Sequence, residues 1–258
     1  MRIHPTAVID PKAELHPSVE VGPYSVIGPG VSLGEDCWIG PHAVLQGPMT
    51  LGKRNKVFQF ASVGEISQDK TARREDPTRV EIGDDNVIRE YVTIQRGTLK
   101  EQGVTRIGND NWIMAYCHIA HDCFIDDHTI FANGTTLAGH VHVEDYVVFG
   151  GATLIHQYCS IGAHSFSAGG AGITRDVPPF VVVQGNPAAP RGINIEGIRR
   201  RNFSAEDISD IKAAYRAMFM AGLRQDEVKA ELTEISQRSP HVKRMLEFVE
   251  RSKRLIQK

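Results

Sequence analysis

A large aliphatic residue returns at every sixth position over the first quarter of the chain. The run begins at Ile3 and continues without a miss to Val63. An α-helix would need a period of about 3.6 residues and a free strand a period of about 2, so neither explains this spacing alone. A fixed period of six fits a solenoid in which each repeat supplies a short strand and a corner, with the aliphatic side chain inside. The sequence therefore predicts a parallel β-helix.

The repeat is interrupted twice, near residues 65–81 and 97–106, and then resumes. If three hexads make one triangular coil, both loops leave the prism at the same corner, in successive coils. Residues 18 apart in an unbroken run then stack at the ~4.8 Å spacing of neighbouring strands. A long loop on a rigid solenoid favours function over an idle surface flap, and the first loop carries several charged residues. The second loop is expected to contribute little chemistry of its own.

The hexads end after Pro179, and the composition then changes. We divide the chain into a β-helical catalytic domain over residues 1–190 and a small helical domain over residues 191–258. Such a helical domain would also cover the exposed strand edge at the end of the solenoid.

Three helices are predicted in this second domain. Ser204 followed by Asp207 suggests a capping box that opens a helix ending near Gly222. Residues 224–237 suggest a second helix. Ser239, with the proline after it, starts the third, because proline suits the first helical turn.

Composition and charge exclude several classes of protein. Among 258 residues the formal net charge is −2, whereas general binding to nucleic acid or to a membrane surface would need a basic excess. The N-terminal segment has no apolar core of a signal peptide, and no run is long enough to span a bilayer. A cytoplasmic protein without membrane insertion is expected.

The cysteines follow the repeat as well. All of them occupy the fifth position of a hexad, where small residues otherwise stand; they are Cys37, Cys117, Cys123 and Cys159. A disulfide framework or a zinc cluster would not keep that phase, so we interpret them as interior fillers.

Four of the eleven histidines come together when residues 18 apart are stacked: His118, His121, His140 and His156. Gly139 lies one coil above His121, and Gln157 lies one coil above that glycine. Asp122 lies directly below His140. The sequence thus predicts one edge of the prism that carries imidazoles, a carboxylate, an amide and a glycine with an unshielded N–H.

Three interpretations of this edge compete. An imidazole with a neighbouring carboxylate can act as a general base, and the glycine N–H can stabilise an oxyanion. Three histidines can also bind zinc. The third interpretation is a set of surface histidines without a function. Because the cysteines point inward and no other nucleophile set is present, direct transfer is favoured over a covalent enzyme intermediate.

A second polar group follows the solenoid. It consists of Asn194, Glu196, Arg199, Arg200 and Arg201. Consecutive arginines suit a diphosphate or an acidic protein partner, but they also suit a solvated helix start.

Several segments in combination resemble one known family. They are IAHDC (119–123), LAGH (137–140), IHQYCSIGAH (155–164), DVPPF followed by QGNPA (176–188) and NIEGIRRRNFS (194–204). Together they are similar to the UDP-N-acetylglucosamine (UDP-GlcNAc) O-acyltransferases of lipid A biosynthesis, and the similarity covers essentially the whole chain.

The resemblance implies a left-handed β-helix and a homotrimer with active sites between subunits. It implies transfer of an (R)-3-hydroxyacyl group from acyl carrier protein to the glucosamine 3-hydroxyl of UDP-GlcNAc, without metal or cofactor. His121 would be the general base with Asp122 beside it, and the Gly139 N–H would be the oxyanion donor. Residues lining the substrates would be Asp69, His118, His140, His156, Gln157, Asn194, Glu196, Arg200 and Arg201.

Two departures from the family pattern leave alternatives open. Gln95 stands where close relatives carry histidine, and the first loop spaces Lys70 differently. The acceptor is therefore either the 3-hydroxyl sugar or a 3-amino analogue. Three other interpretations remain: a hexapeptide acyl- or acetyltransferase with another acceptor, a zinc enzyme resembling the γ-type carbonic anhydrases, and a non-catalytic scaffold.

Acyl-chain length is the subject of one further hypothesis. Gly169 and Gly170 fall in the ninth coil. If these glycines line the end of the acyl-binding groove, their missing side chains would leave room for a longer acyl tail.

Overall fold

The computed structural model describes residues 2–257. Three sheets of short strands form the sides of a triangular prism, and consecutive strands along the chain go to the first, second and third sheet in turn. We call these sheets face A, face B and face C. In uninterrupted coils, residues 18 apart are partners in parallel pairs, as Ile113 and Phe131 are. The predicted parallel β-helix is confirmed.

The strands of each face follow in stacking order. Face A contains Arg2–Ile3, Glu20–Val21, Trp38–Ile39, Lys56–Val57, Val87–Ile88, Trp112–Ile113, Ile130–Phe131, Val148–Phe149, Phe166–Ser167, Val181–Gln184 and Ala189–Ile193. Face B contains Val8–Ile9, Val26–Ile27, Val44–Leu45, Ser62–Glu65, Thr93–Gln95, His118–Ile119, Thr136–Leu137, Leu154–Ile155 and Gly172–Ile173. Face C contains Glu14–Leu15, Val31–Leu33, Met49–Leu51, Arg79–Ile82, Val104–Ile107, Phe124–Ile125, His142–Val143 and Ser160–Ile161.

The aliphatic position of each hexad fills the inside of the prism. Ile39, Ile88 and Phe131 are examples that are fully buried. All four cysteines are buried and free, as predicted for interior fillers. Burial raises the pKa of the Cys123 thiol to about 12, so this sulfur stays protonated and is no nucleophile.

We name each corner by the faces it joins. The first loop connects Glu65 on face B to Arg79 on face C, and the second connects Gln95 on face B to Val104 on face C. Both loops therefore leave at the BC corner in successive coils, as the phase of the hexads predicts. The next coil places residues 120–123 at this same corner.

The fourth residue of many hexads has a positive φ, which is uncommon outside glycine. Asp122 (φ 58°) and His140 (φ 63°) do so at the BC corner. Side chains at this position lie one above another in successive coils. The His140 ring, for example, stacks on the Tyr158 ring with a centroid distance of 4.4 Å. Each corner thus becomes a column of side chains.

The β-structure ends in an antiparallel pair on face A, and helices begin immediately after it. Helix α1 is Ile195–Arg199, α2 is Ala205–Phe219, α3 is Gln225–Ser236 and α4 is Pro240–Arg251. Ser204 and Asp207 form the predicted capping box of α2, and the Ser239 hydroxyl caps α4 as predicted. The sequence missed α1, and the division at residue 190 stays a prediction. Among residues 2–257, no helix combines the length and apolarity that crossing a membrane requires.

Ion pairs hold α4 against the prism. Glu144, buried at the CA corner, accepts hydrogen bonds from Arg244 and Arg251 of this helix. Beyond α4, the Ser252 hydroxyl donates to Asp176 at 2.7 Å, and Leu255 forms a β-bridge to the same aspartate. The helices therefore cover the last coils, as the sequence predicts.

Candidate active site

The predicted base and its carboxylate are adjacent at the BC corner. His121 Nδ1 lies 2.9 Å from Asp122 Oδ2, and the two side chains are 16% and 1% exposed. In a neutral imidazole, Nδ1–H donates to the carboxylate and leaves Nε2 as the proton acceptor. This pair can therefore present a base to the cleft.

Asp122 is held by a residue of the second loop. The Thr98 N–H and hydroxyl both donate to its carboxylate, the hydroxyl at 2.6 Å from Oδ2, and the Asp122 N–H donates to the Thr105 hydroxyl at 2.9 Å. Burial favours the neutral acid, but the hydrogen bonds from His121 and Thr98 outweigh it, so the pKa of Asp122 lies below its usual value. The expectation that the second loop holds little chemistry is wrong. Thr105 keeps the small fifth position of its hexad, but Thr98 lies in the interrupted segment, so periodicity gives no signal for its contact with Asp122.

Gly139 packs directly on the His121 ring. A Cβ atom added to Gly139 would lie 2.4 Å from His121 Cε1, which is a steric clash. In the described part of the chain the Gly139 N–H donates no hydrogen bond to the backbone. Glycine at this position therefore makes room for the imidazole and leaves an N–H available beside it.

His140 and His118 flank the base. The His140 ring meets the His121 ring edge-on, with centroids 4.9 Å apart, and His140 Nδ1 lies 3.1 Å from Glu101 Oε1. His118 Nδ1 lies 2.7 Å from the Thr93 hydroxyl. Burial, reinforced by the nearby His121, lowers the pKa of His118, so its ring stays neutral.

His156 and Gln157 continue the same corner in the coil above Gly139. Both side chains are exposed, and His156 Nδ1 lies 3.1 Å from the Gln157 carbonyl oxygen. The Arg254 guanidinium also donates to this carbonyl, so the C-terminal segment reaches the corner. The 18-residue spacing located these two residues correctly.

Asp69 lies in the first loop, where its carboxylate is bound from both sides. Lys100 Nζ lies 2.5 Å from Oδ2, and the Thr71 N–H and hydroxyl donate to Oδ1. These contacts hold the pKa of Asp69 well below its usual range. The Gln95 side-chain carbonyl accepts a hydrogen bond from the Gln68 N–H at 3.0 Å. Gln95 therefore anchors the first loop.

The remaining predicted residues lie on other sides of the same chain. Asn194, Glu196 and Arg200 line a groove of about 660 Å³ on face A. The Arg201 guanidinium lies over the Tyr146 ring at the CA corner, 3.7 Å from its centroid. Gly169 is exposed at the AB corner. None of these residues lies at the BC corner with His121.

Asn194 also has a local role. Its side-chain oxygen accepts from the Gly197 N–H and caps α1, while its amide donates to the His164 carbonyl. These two bonds fix the start of α1, which carries Glu196 and leads directly to Arg200.

A metal site at the BC corner was the competing interpretation. One ligand atom each of His121, Asp122 and His140 lies within 4.8 Å of the other two. However, Asp122 Oδ2 already accepts from Thr98 and His121. The carboxylate of this donor set is satisfied by protein hydrogen bonds, which suits acid–base chemistry better than metal binding, whereas His140 Nδ1 is buried without a hydrogen-bond partner among residues 2–257.

Fold and site together define a transferase of the hexapeptide-repeat class. Residues 105–139 match the family model of bacterial transferase hexapeptide (six repeats). Residues 176–257 match the second domain of UDP-N-acetylglucosamine O-acyltransferase.

Similar proteins extend this match to the whole chain. An acyl-[acyl-carrier-protein]–UDP-N-acetylglucosamine O-acyltransferase of Janthinobacterium sp. (strain Marseille) is 53% identical over 258 residues, with 98% of each chain covered. The enzyme of that name from Halorhodospira halophila is 53% identical over 253 residues, again with 98% of each chain covered. The crystal structure of Francisella novicida UDP-N-acetylglucosamine acyltransferase is 37% identical, with 99% of this chain and 94% of that chain covered and a TM-score of 0.97. The chain belongs to the UDP-N-acetylglucosamine O-acyltransferase family.

Proposed function

We propose that this protein transfers an (R)-3-hydroxyacyl group from acyl carrier protein to the glucosamine 3-hydroxyl of UDP-GlcNAc, the first step of lipid A biosynthesis. Its full-length relatives carry the name of this acyltransferase. The observation that carries the proposal is the His121–Asp122 pair lying against Gly139.

The reaction follows from these groups. His121 Nε2 removes the proton from the sugar 3-hydroxyl as its oxygen attacks the thioester carbonyl. The oxyanion that forms accepts a hydrogen bond from the Gly139 N–H. When the intermediate collapses, the C–S bond breaks, and the imidazolium returns its proton to the departing thiolate of the carrier protein. An ester and a free thiol result, and Asp122 stabilises the imidazolium throughout.

The two outer surfaces that meet at the AB corner are more apolar than the third, although Arg2, Glu20 and Lys56 also point outward from face A, and they support a trimer. Face A presents side chains such as Trp112 and Val148, and face B presents Val8 and Leu154. The outward side chains of face C are mainly polar or charged; examples are Glu14, Thr50, Glu81, Arg106 and His142. Three copies around a threefold axis at the AB corner would bury faces A and B and leave face C to solvent.

The AB corner itself carries a column of exposed aromatic rings. They are Tyr24, His42, Phe60, Tyr91 and Tyr116, with successive centroids 4.9 to 5.3 Å apart. Exposed aromatic surface of this extent is typical of subunit interfaces. The column therefore favours the AB corner as the side nearest the axis.

This arrangement would complete the active site. The groove with Asn194, Glu196 and Arg200 lies on face A, toward the CA corner. His121 lies at the far edge of face B. If face A of one subunit lies against face B of the next, the groove of the first approaches the histidines of the second. The groove would then bind the nucleotide and the donor end, with Arg201 at its margin.

The first test is direct. The purified protein is incubated with UDP-GlcNAc and 3-hydroxyacyl carrier proteins of several chain lengths, and the products are weighed by mass spectrometry. We expect one acylated sugar nucleotide, unaffected by a chelator and missing with His121→Ala. Product from the 3-amino analogue alone would reassign the acceptor, and loss of activity on chelation would revive the metal interpretation.

A mixing experiment tests the shared site. His121→Ala and Arg200→Glu trimers, each inactive or impaired, are dissociated and reassembled together. We expect partial recovery of activity, because some clefts then combine an intact His121 with an intact Arg200 from the neighbour. No recovery from trimers proven to be mixed would place both residues in one subunit's site. The cytoplasmic location stays a prediction of the sequence.

A further inference from the structure

The second loop touches three groups of the candidate site at once. Thr98 donates to Asp122, and Lys100 Nζ lies 2.5 Å from Asp69 Oδ2. Glu101 Oε1 lies 3.1 Å from His140 Nδ1. The Thr98 hydroxyl also accepts from the Lys100 N–H at 3.4 Å, so the backbone of Lys100 is held at the BC corner, which restricts where its ammonium group can lie.

We propose that Lys100 is a positioning residue that sets the place and charge of Asp69 in the acceptor-sugar site. The inference rests on the proposed function and on the sugar contact that the family resemblance implies for Asp69. Lys100 itself belongs to the other loop and reaches Asp69 across the mouth of the BC corner.

The hydrogen bonds of Asp69 show how its orientation is set. Thr71 donates its N–H and its hydroxyl to Oδ1, at 2.8 and 2.6 Å. Lys100 occupies Oδ2, so both oxygens are directed by the protein before any sugar arrives. A carboxylate held in one rotamer can accept a sugar hydroxyl without first losing conformational freedom.

Stability cannot be the main role of this ion pair. Lys100 is 51% exposed, and pairs at exposed positions contribute little to folding because water and salt screen them. The Lys100–Asp69 pair also changes the electrostatics of the site. The lysine neutralises Asp69, so the sugar meets a neutral pair rather than an isolated anion. A neutral pair suits a hydroxyl acceptor, whereas an isolated carboxylate would favour a protonated amine.

The test compares two lysines that are similarly exposed and each paired with one carboxylate. Lys53 at the CA corner is 54% exposed and pairs with Glu35 at 3.4 Å, so Lys53→Met is the matched control for Lys100→Met. We expect Lys100→Met to raise the KM for UDP-GlcNAc about tenfold and to leave the KM for the acyl carrier protein and the melting temperature unchanged. Lys100→Arg should recover most of the loss, and Lys53→Met should match the wild type.

A double-mutant cycle separates positioning from an independent contact. If Lys100 acts through Asp69, adding Lys100→Met to Asp69→Asn costs nothing further. Additive effects, or a KM within about twofold of wild type for Lys100→Met, would overturn the inference. Failure of the proposed function looks different, because the wild-type protein would then form no acylated UDP-GlcNAc at all.

Discussion

The prism carries an Asp–His–Tyr column twice, at two of its corners. At the CA corner it is Asp110, His128 and Tyr146, and at the BC corner it is Asp122, His140 and Tyr158. His128 Nδ1 lies 2.8 Å from Asp110 Oδ2, with side chains 39% and 67% exposed. Asp122 and His140, in contrast, are 1% and 4% exposed. The same repeat chemistry is solvated at one corner and enclosed at the other.

What differs is the neighbourhood of each column. At the BC corner the third hexad position supplies His121 and then Gly139, and two loops leave there, the second of which covers the Asp122 carboxylate. At the CA corner the same positions supply Asp127 and Asp145, and no loop interrupts the coil. An imidazole and a carboxylate in register are therefore not enough for a catalytic site. Enclosure raises their electrostatic coupling, and the glycine provides the space that the His121 ring occupies.

Removing the base should produce the largest contrast between the corners. We expect His121→Ala to lower kcat about a thousandfold, because general-base catalysis is lost. His128→Ala at the solvated corner should keep kcat within about twofold of wild type. Steady-state rates of acyl transfer measure both. Equal losses in the two variants would contradict the assignment of the site to the BC corner.

Filling the space beside His121 should produce the second-largest effect. Gly139→Ala should lower kcat about a hundredfold, because the new Cβ would displace the His121 ring that now lies 2.4 Å from its position. Gly151 holds the equivalent hexad position at the AB corner, and a Cβ there would meet only the Asn133 carbonyl oxygen, at an ordinary 3.4 Å. Gly151→Ala is therefore the control and should keep full activity. Normal rates with Gly139→Ala would contradict the role of this glycine.

The contribution of the covering loop can be measured through pH. Thr98→Val removes the hydroxyl that donates to Asp122, and we expect kcat to fall about tenfold. This hydrogen bond lowers the pKa of Asp122, so its loss raises that pKa. The carboxylate is ionised only above its pKa, so activity should disappear at a higher pH on acidification than in the wild type. An unshifted acid limb in a folded variant would exclude this role of Thr98.

The smallest expected effect concerns the AB corner. Gly169 is exposed in the single chain, and a Cβ there meets only the Gly151 backbone, its carbonyl oxygen at 3.4 Å and its nitrogen at 4.0 Å, so this chain leaves room for a larger side chain. Gly169→Met should shift preference toward shorter acyl donors, by about fourfold in kcat/KM for each methylene excluded, since a buried CH₂ is worth about 0.8 kcal/mol. Competition between donors of different length measures the shift. An unchanged preference would remove Gly169 from the acyl slot.

Much of the fold can be predicted from the six-residue period of the sequence. The spacing of six located the strands, the shared corner of the two loops and the column of His121, Gly139 and Gln157. Local signals located α2 and α4, because Ser204 and Ser239 cap them. The contacts of Thr98, Lys100 and Glu101 could not be predicted in this way. They lie in a segment without a repeat, where the chain path depends on what the loop meets.

Gln95 shows the same limit inside a strand. Its identity is visible in the sequence as a departure from the family pattern, but its bond to the Gln68 N–H is not. That bond ties a repeat position to a non-repeating loop, so no spacing encodes it.

The sequence by itself determined the coil, its register and the order of chemical groups along each corner. A strict period forces identical strands to stack, and stacking turns distance along the chain into distance in space. The tertiary structure decided which of the two Asp–His–Tyr columns is enclosed. It did so because the second loop folds back on the BC corner, where Thr98 binds the Asp122 carboxylate that the repeat had aligned with the histidines and Lys100 binds Asp69 of the first loop.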